Sequence, residues 1–122
     1  MLKKRNIKKL PEAVIISDSK AVQKVYNKIL FSNGFNPLVF DSIQKAFEAV
    51  TRSKPELVIT ELFLDEISGL ELSKEIRKFY SVDEVPIIVS TRQKDFIDKT
   101  FKKKCFQSGV NDIVKFPITS MP

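Results

Sequence analysis

The sequence predicts a doubly wound α/β domain built on a five-stranded parallel sheet. Short, continuous apolar runs recur along the chain, as strands buried on both faces require. Segments of helical period separate them, the alternation of a βα-repeated fold. Polar residues follow directly on four of the runs: Asp18, Glu61, Thr91 and Lys115. Open α/β sheets bind ligands beyond the carboxyl ends of their strands, so these four mark the candidate site.

Ala13-Val-Ile-Ile16 is the first run, and Ser17, Asp18 and Ser19 behind it suit the capping of a helix. That helix repeats apolar pairs at a spacing of four, Ala21/Val22, Val25/Tyr26 and Ile29/Leu30, and Asn33-Gly34 ends it. Leu38-Val-Phe40 is the second strand. Asp41 or Ser42 caps the next helix, which runs through Ile43, Phe47 and Val50 until Pro55 breaks it. Leu57-Val-Ile-Thr60 is the third strand, with Glu61 immediately after it. A loop from Leu62 to Ser68 leads to Gly69 and a helix expected to bury Leu72, Ile76 and Phe79. Pro86 opens the fourth strand, Ile87-Ile-Val-Ser90, and Thr91 stands at its end. The following helix turns Ile97, Phe101 and either Cys105 or Phe106 inward. Gly109 stops it, and Ile113-Val114-Lys115 is the fifth strand.

Five strands against four helices leave part of one sheet face uncovered, because a doubly wound sheet needs helices on both sides. The fifth helix is absent from the pattern. The expectation is a basic tail over residues 1–12, one domain over 13–118, and an end at 119–122 that leads to further sequence. The uncovered face would otherwise meet a partner or a second copy of the chain.

Composition narrows the classes. With 122 residues and 43% hydrophobic content the chain suits one core, and 30% charged residues is an ordinary globular fraction. No apolar run approaches the roughly 18 residues of a membrane span. The start, MLKKRNIKKLPE, is basic but lacks the apolar stretch of a secretory signal. The single cysteine, Cys105, makes no internal disulfide, which fits a cytoplasmic protein. The absence of histidine removes histidine-dependent triads, most zinc catalysis and haem ligation. The net charge of +6 lies mostly in the tail: without Lys3, Lys4, Arg5, Lys8 and Lys9, 16 basic residues face 15 acidic ones. A second cluster runs from Lys102 to Lys104. Nucleic-acid binding is disfavoured, since no reading helix, glycine-rich phosphate loop or aromatic platform accompanies the charge.

The segment from Glu56 to Leu72, ELVITELFLDEISGLEL, resembles the phosphorylation segment of response-regulator receiver domains (CheY-like). In that family the acceptor aspartate lies eight residues before a glycine followed by Leu-Glu-Leu, and Glu61 and Gly69 keep that spacing here. VPIIVST, ending at Thr91, is similar to the fourth strand with its phosphate-binding hydroxyl, and Ile113-Val-Lys115 to the stretch that ends in the family's lysine. The resemblance covers about Ala13 to Phe116. It implies a flavodoxin-like sheet of order 2-1-3-4-5, no enzymatic activity, and a signalling protein (a histidine kinase or an output domain) as partner.

Family roles carry over where residues match. Thr91 and Lys115 would form the phosphate pocket, and Asp18 with Glu61 would hold Mg²⁺. The departures are specific. Ser17 replaces one acid of the metal-binding pair, which implies a weak or lost Mg²⁺ site. Glu61 stands where the acceptor aspartate belongs. Its extra methylene moves the carboxylate by about 1.5 Å, and in-line transfer loses roughly 100-fold for a 1 Å misplacement. Phe116 separates Lys115 from Pro117, and Asn111-Asp112-Ile113 lacks the family's switch aromatic. Asp112 itself reads as a flanking residue. The sequence therefore points to a pseudo-receiver that acts through protein–protein contact, with Glu61 either imitating the phosphorylated state or pairing with Lys115 to lock one form. The alternatives are a receiver that takes phosphate on another acid, with Asp18, Asp65 and Glu66 available, or the receiver part of a DNA-binding regulator.

Overall fold

The computed structural model describes residues 10–64, 68–92 and 98–116. Within them lie β1 (Glu12–Ile16), α1 (Lys20–Ser32), β2 (Asn36–Phe40), α2 (Ile43–Ser53), β3 (Leu57–Glu61), α3 (Gly69–Ile76), β4 (Ile87–Arg92), α4 (Lys99–Gln107) and β5 (Asp112–Phe116). All strand pairs are parallel, and the sheet order is β2-β1-β3-β4-β5. The predicted doubly wound sheet with four helices is what the chain forms. Ile97, Asp65, Glu66 and the basic tail at residues 1–9 fall outside the described residues.

Strand alternation sends successive side chains to opposite faces and so divides the core in two. Val14, Ile16, Val58, Leu62, Ile87 and Val89 face one side, where Ala46, Val50, Leu72, Ile76 and Cys105 of α2, α3 and α4 cover them. Ala13, Ile15 and Ile59 face the other side, against Val22, Tyr26 and Leu30 of α1. Those three helix residues recur every four positions, which places them along one stripe. Ile88 and Phe116 complete the α1 side and are only partly buried.

Each helix begins at a side-chain cap. Ser19, Ser42, Ser68 and Asp98 accept from Val22, Lys45, Glu71 and Phe101 backbone N–H groups, satisfying donors that the helix leaves open. Of the two predicted caps for α2, Ser42 is the one used. β2 contains Pro37, tolerated because β2 is an edge strand.

One burial expectation changes. Phe79 is 60% exposed, because α3 ends at Ile76, three residues before it; its ring meets the edge of Phe47 at 5.8 Å. Of the two alternatives for the inward face of α4, Cys105 is the one buried, while Phe106 is exposed.

Arg77 stops α3 and pins the edge of the sheet opposite the candidate site. Its Nε donates to the Gly109 carbonyl at 2.9 Å, Nη1 to Val85 at 2.8 Å and Ser81 at 3.0 Å, and Nη2 to Asn111 Oδ1 at 2.8 Å. Asn111 Oδ1 also accepts from the Ile87 N–H at 2.8 Å, so the pin reaches the first residue of β4. Burial pushes the Arg77 guanidinium below its ordinary pKa.

Gly109, at φ +92°, sits against this pin, and a Cβ there would lie 2.5 Å from Arg77 Cγ. Gly34, at φ +91°, has open space around it. The Gly34→Ala variant pays only backbone strain, about 1–2 kcal/mol. Gly109→Ala adds the clash with a side chain that its hydrogen bonds hold in place, and should cost at least about 1 kcal/mol more. Urea unfolding of the two variants measures the difference.

Candidate functional site

The rim formed by the carboxyl ends of β1, β3, β4 and β5 gathers the candidate residues, and alternation decides which of them meet. Glu61 is the last residue of β3 and lies across from Ser90 of β4. Arg92, two residues beyond Ser90, is on the same side of the sheet. Ser17, two residues beyond Ile15, follows the α1 side of β1 in the same way. Thr91 lies across from Lys115, one step out of phase with Glu61.

The Glu61 side chain is only 5% exposed, and both of its oxygens are engaged. Ser17 Oγ donates to Oε2 at 2.7 Å, and the Arg92 guanidinium donates to Oε1 at 3.3 Å. Ser17 is fully buried and fixed on its other atoms. Its N–H bonds the Phe40 carbonyl at 3.0 Å, its carbonyl accepts from Gln23 Nε2 at 2.6 Å, and its Oγ accepts from the Ser19 N–H at 3.0 Å. With a lone pair taken by Ser19, the hydroxyl proton is directed at Glu61. The start of α3 lies close against this end: Gly69 donates to the Leu62 carbonyl at 2.7 Å, and a Cβ on Gly69 would come within 2.5 Å of the Glu61 carbonyl oxygen.

A second polar pair lies under the first. Tyr26 Oη and Ser90 Oγ are 2.6 Å apart, and both residues are buried. Burial holds the Tyr26 phenol above the ordinary pKa of 10.0; the Ser90 hydrogen bond opposes the shift, and the Glu61 charge adds to it. The Tyr26 ring also packs on Phe116 at 5.8 Å.

Of the four predicted residues, Glu61 and Thr91 are buried at neighbouring strand ends, whereas Asp18 and Lys115 are exposed. Thr91 Oγ1 donates to the Val114 carbonyl at 3.3 Å and not to Glu61. The expected pairing of Glu61 with Lys115 is not made; Arg92 holds that place, because Lys115 falls on the alternate phase of the sheet. Sequence reading also missed Ser90 and Tyr26. The available signal was Arg92 itself, a cation directly after the strand-four hydroxyl.

Mg²⁺ demands near-octahedral oxygen ligands at about 2.0–2.1 Å. Here a hydroxyl replaces one carboxylate of the predicted pair, and each oxygen of Glu61 already accepts a hydrogen bond. Among the described residues no group of three or more His, Cys, Asp or Glu side chains is placed to hold a metal. These residues do not fit the ion. Chemically, the rim is a buried carboxylate with one neutral and one cationic donor, one on each oxygen.

Removing the Tyr26 hydroxyl leaves Ser90 unpaired in the core, so Tyr26→Phe should destabilise the fold by about 1–2 kcal/mol. The raised pKa gives the linkage its sign: the folded state keeps the phenol proton longer than the unfolded chain does. The stability that this provides is complete below pH 10.0 and is lost as pH rises above it. Melting temperatures between pH 9 and 11 should fall less steeply in the Tyr26→Phe variant than in the parent protein.

Residues 13–120 match the model of the response regulator receiver domain. The chain is 24% identical over 109 residues to the two-component response regulator ORR5 of Oryza sativa, covering 88% of this chain and 79% of that protein. It is 25% identical over 115 residues to the hybrid signal transduction histidine kinase D of Dictyostelium discoideum, where 94% of this chain corresponds to 7% of the kinase. A response regulator from Burkholderia pseudomallei, solved with a phosphorylated aspartic acid, a calcium ion and citrate, superposes with a TM-score of 0.76 at 16% identity, covering 89% of this chain and 61% of that one. With 108 of its residues inside the family's boundaries and the sheet order to match, the chain belongs to the response regulator receiver domain family of two-component signalling.

Proposed function

We propose that this receiver domain is a pseudo-receiver, a regulatory interaction module that takes no phosphate on the residue at its acceptor position. Receiver domains are regulatory and work with histidine kinases and output domains, commonly with Mg²⁺ at an acceptor aspartate. The acceptor position here is Glu61, by its spacing of eight from Gly69 and the Leu-Glu-Leu that follows. The observation that carries the reading is the engagement of both oxygens of that carboxylate, by Ser17 at 2.7 Å and Arg92 at 3.3 Å.

An attacking carboxylate needs a free lone pair aligned with phosphorus, and a cation to neutralise the charge of the transferring group. Glu61 offers neither alignment nor a free oxygen. Its chain is longer by about 1.5 Å, and its hydrogen bonds direct it toward β1 and β4. Lys115 and Thr91, the residues that would bind a phosphoryl oxygen, are respectively exposed and turned to Val114. Of the two forms that Glu61 could impose, this geometry favours a fixed resting state over an imitation of phosphorylation, since the carboxylate does not reach Thr91 or Lys115. A fixed rim leaves contact with another signalling protein as the route by which the domain acts. No helix among the described residues is long and apolar enough to cross a membrane.

Incubation with Mg²⁺ and acetyl phosphate, followed by intact-mass measurement, should give no phosphoryl adduct. A stoichiometric adduct would overturn the reading, and peptide mapping would then identify the acid that accepts it.

A further inference from the structure

Among the described residues, the carboxyl ends of β1, β3, β4 and β5 carry two acids, Asp18 and Glu61, and two bases, Arg92 and Lys115. The base that meets the buried acid is Arg92, through Nη2 to Oε1 at 3.3 Å. We propose that Arg92 is the built-in counter-ion of this receiver rim, occupying with its guanidinium the place that a divalent cation would need and so excluding the ion. This deepens the reading of Glu61 as a rim carboxylate that takes no phosphate, and rests on it.

A hard dication needs lone pairs of the Glu61 oxygens, and Oε1 already faces the Arg92 guanidinium in an ion pair at 3.3 Å. A cation beside a guanidinium meets repulsion that rises as water is excluded, and the Glu61 side chain is 5% exposed. Arg92 is also placed by backbone constraints: it is the last residue of β4, across from Phe116, and the Ser90 carbonyl two residues earlier bonds the Leu62 N–H at 2.9 Å. Position and phase together bring the side chain over Glu61.

Ser17 is the other half of the exclusion, since it supplies a hydroxyl where a carboxylate would add a ligand. The two contributions can be separated. Restoring the acid alone (Ser17→Asp) leaves Arg92 in competition with the metal. Restoring it while removing the guanidinium (Ser17→Asp with Arg92→Ala) gives both ligand and room.

Calorimetric titration of Mg²⁺ and Mn²⁺ into the purified proteins tests this. The parent protein should show no saturable binding. The double variant should bind one ion per chain at least tenfold more tightly than Ser17→Asp alone, and Ser17→Asp with Arg92→Lys, which keeps the charge, should stay near the Ser17→Asp value. A merely structural role for Arg92 would not produce that order. If circular dichroism shows the alanine double variant unfolded, Arg92→Gln replaces it. Equal affinity with and without the guanidinium overturns the assignment, as does failure of both folded double variants to bind. Saturable binding to the parent that is lost in Glu61→Gln overturns it as well. None of these outcomes is itself a phosphoryl adduct, so a failure of the Arg92 assignment and a failure of the pseudo-receiver reading are distinguishable.

Discussion

A carboxylate buried at the end of a central strand is the constraint around which the rim is arranged. Glu61 sits between β1 and β4, where water does not reach it freely, and an ionised group in such a place needs donors. Ser17 and Arg92 supply them, and their own positions follow from that demand. Ser17 is held at three atoms, and Glu61 at 2.7 Å is a nearer acceptor for its proton than the Ser19 carbonyl at 3.4 Å. Arg92 brings a charge whose side chain is 47% exposed, so the pair gains part of the strength of a buried ion pair without the full cost of burying two ions. The tyrosine beneath is held neutral chiefly by its burial, and the Glu61 charge adds to the cost of ionising it.

In the proposed reading, receiver architecture tolerates the loss of its chemistry. The sheet lies in the body of the fold and the Arg77 pin at the end of the strands opposite the rim, and neither uses the carboxylate of residue 61. What the rim requires locally is charge balance and satisfied hydrogen bonds. A phosphorylatable site meets that requirement with a removable metal. Here a hydroxyl and a guanidinium meet it from within the chain.

Most of the fold was legible because its determinants are local or periodic. Runs such as Ala13-Val-Ile-Ile16 and Ile87-Ile-Val-Ser90 are apolar on both faces, and only a buried parallel strand suits them. The caps Ser19 and Ser42 precede their helices in the chain itself. Phe79 was misread because helical period continues in a sequence after the helix has ended; the stop comes from Arg77, whose partners Val85, Gly109 and Asn111 are remote in sequence. The rim was legible as a location and not as a set of contacts. Glu61 and Lys115 stand at the ends of their strands as read, but which cation faces the acid depends on a register shift of one residue between β3, β4 and β5. A one-residue step reverses the face of every side chain, and no local pattern in the sequence fixes it.

That register has a consequence for signalling. A ligand shifts a conformational equilibrium only through its different affinity for the two states. In a receiver that takes phosphate, the phosphoryl group is that ligand, drawing a hydroxyl and a lysine toward one point. In this chain the corresponding groups already have other commitments: Thr91 to the β5 backbone, Lys115 to solvent, and Glu61 to β1 and β4. Among the described residues, Thr91 and Glu61 are engaged elsewhere and Lys115 is exposed. In the pseudo-receiver reading a change of state would be driven from another surface, and the groove of about 550 Å³ between α2 and α3, lined by Ile43, Phe47 and Leu72, is one such surface. The energy for switching would then come from association, and its direction would be set by the partner and not by the phosphorylation chemistry that the fold was built around.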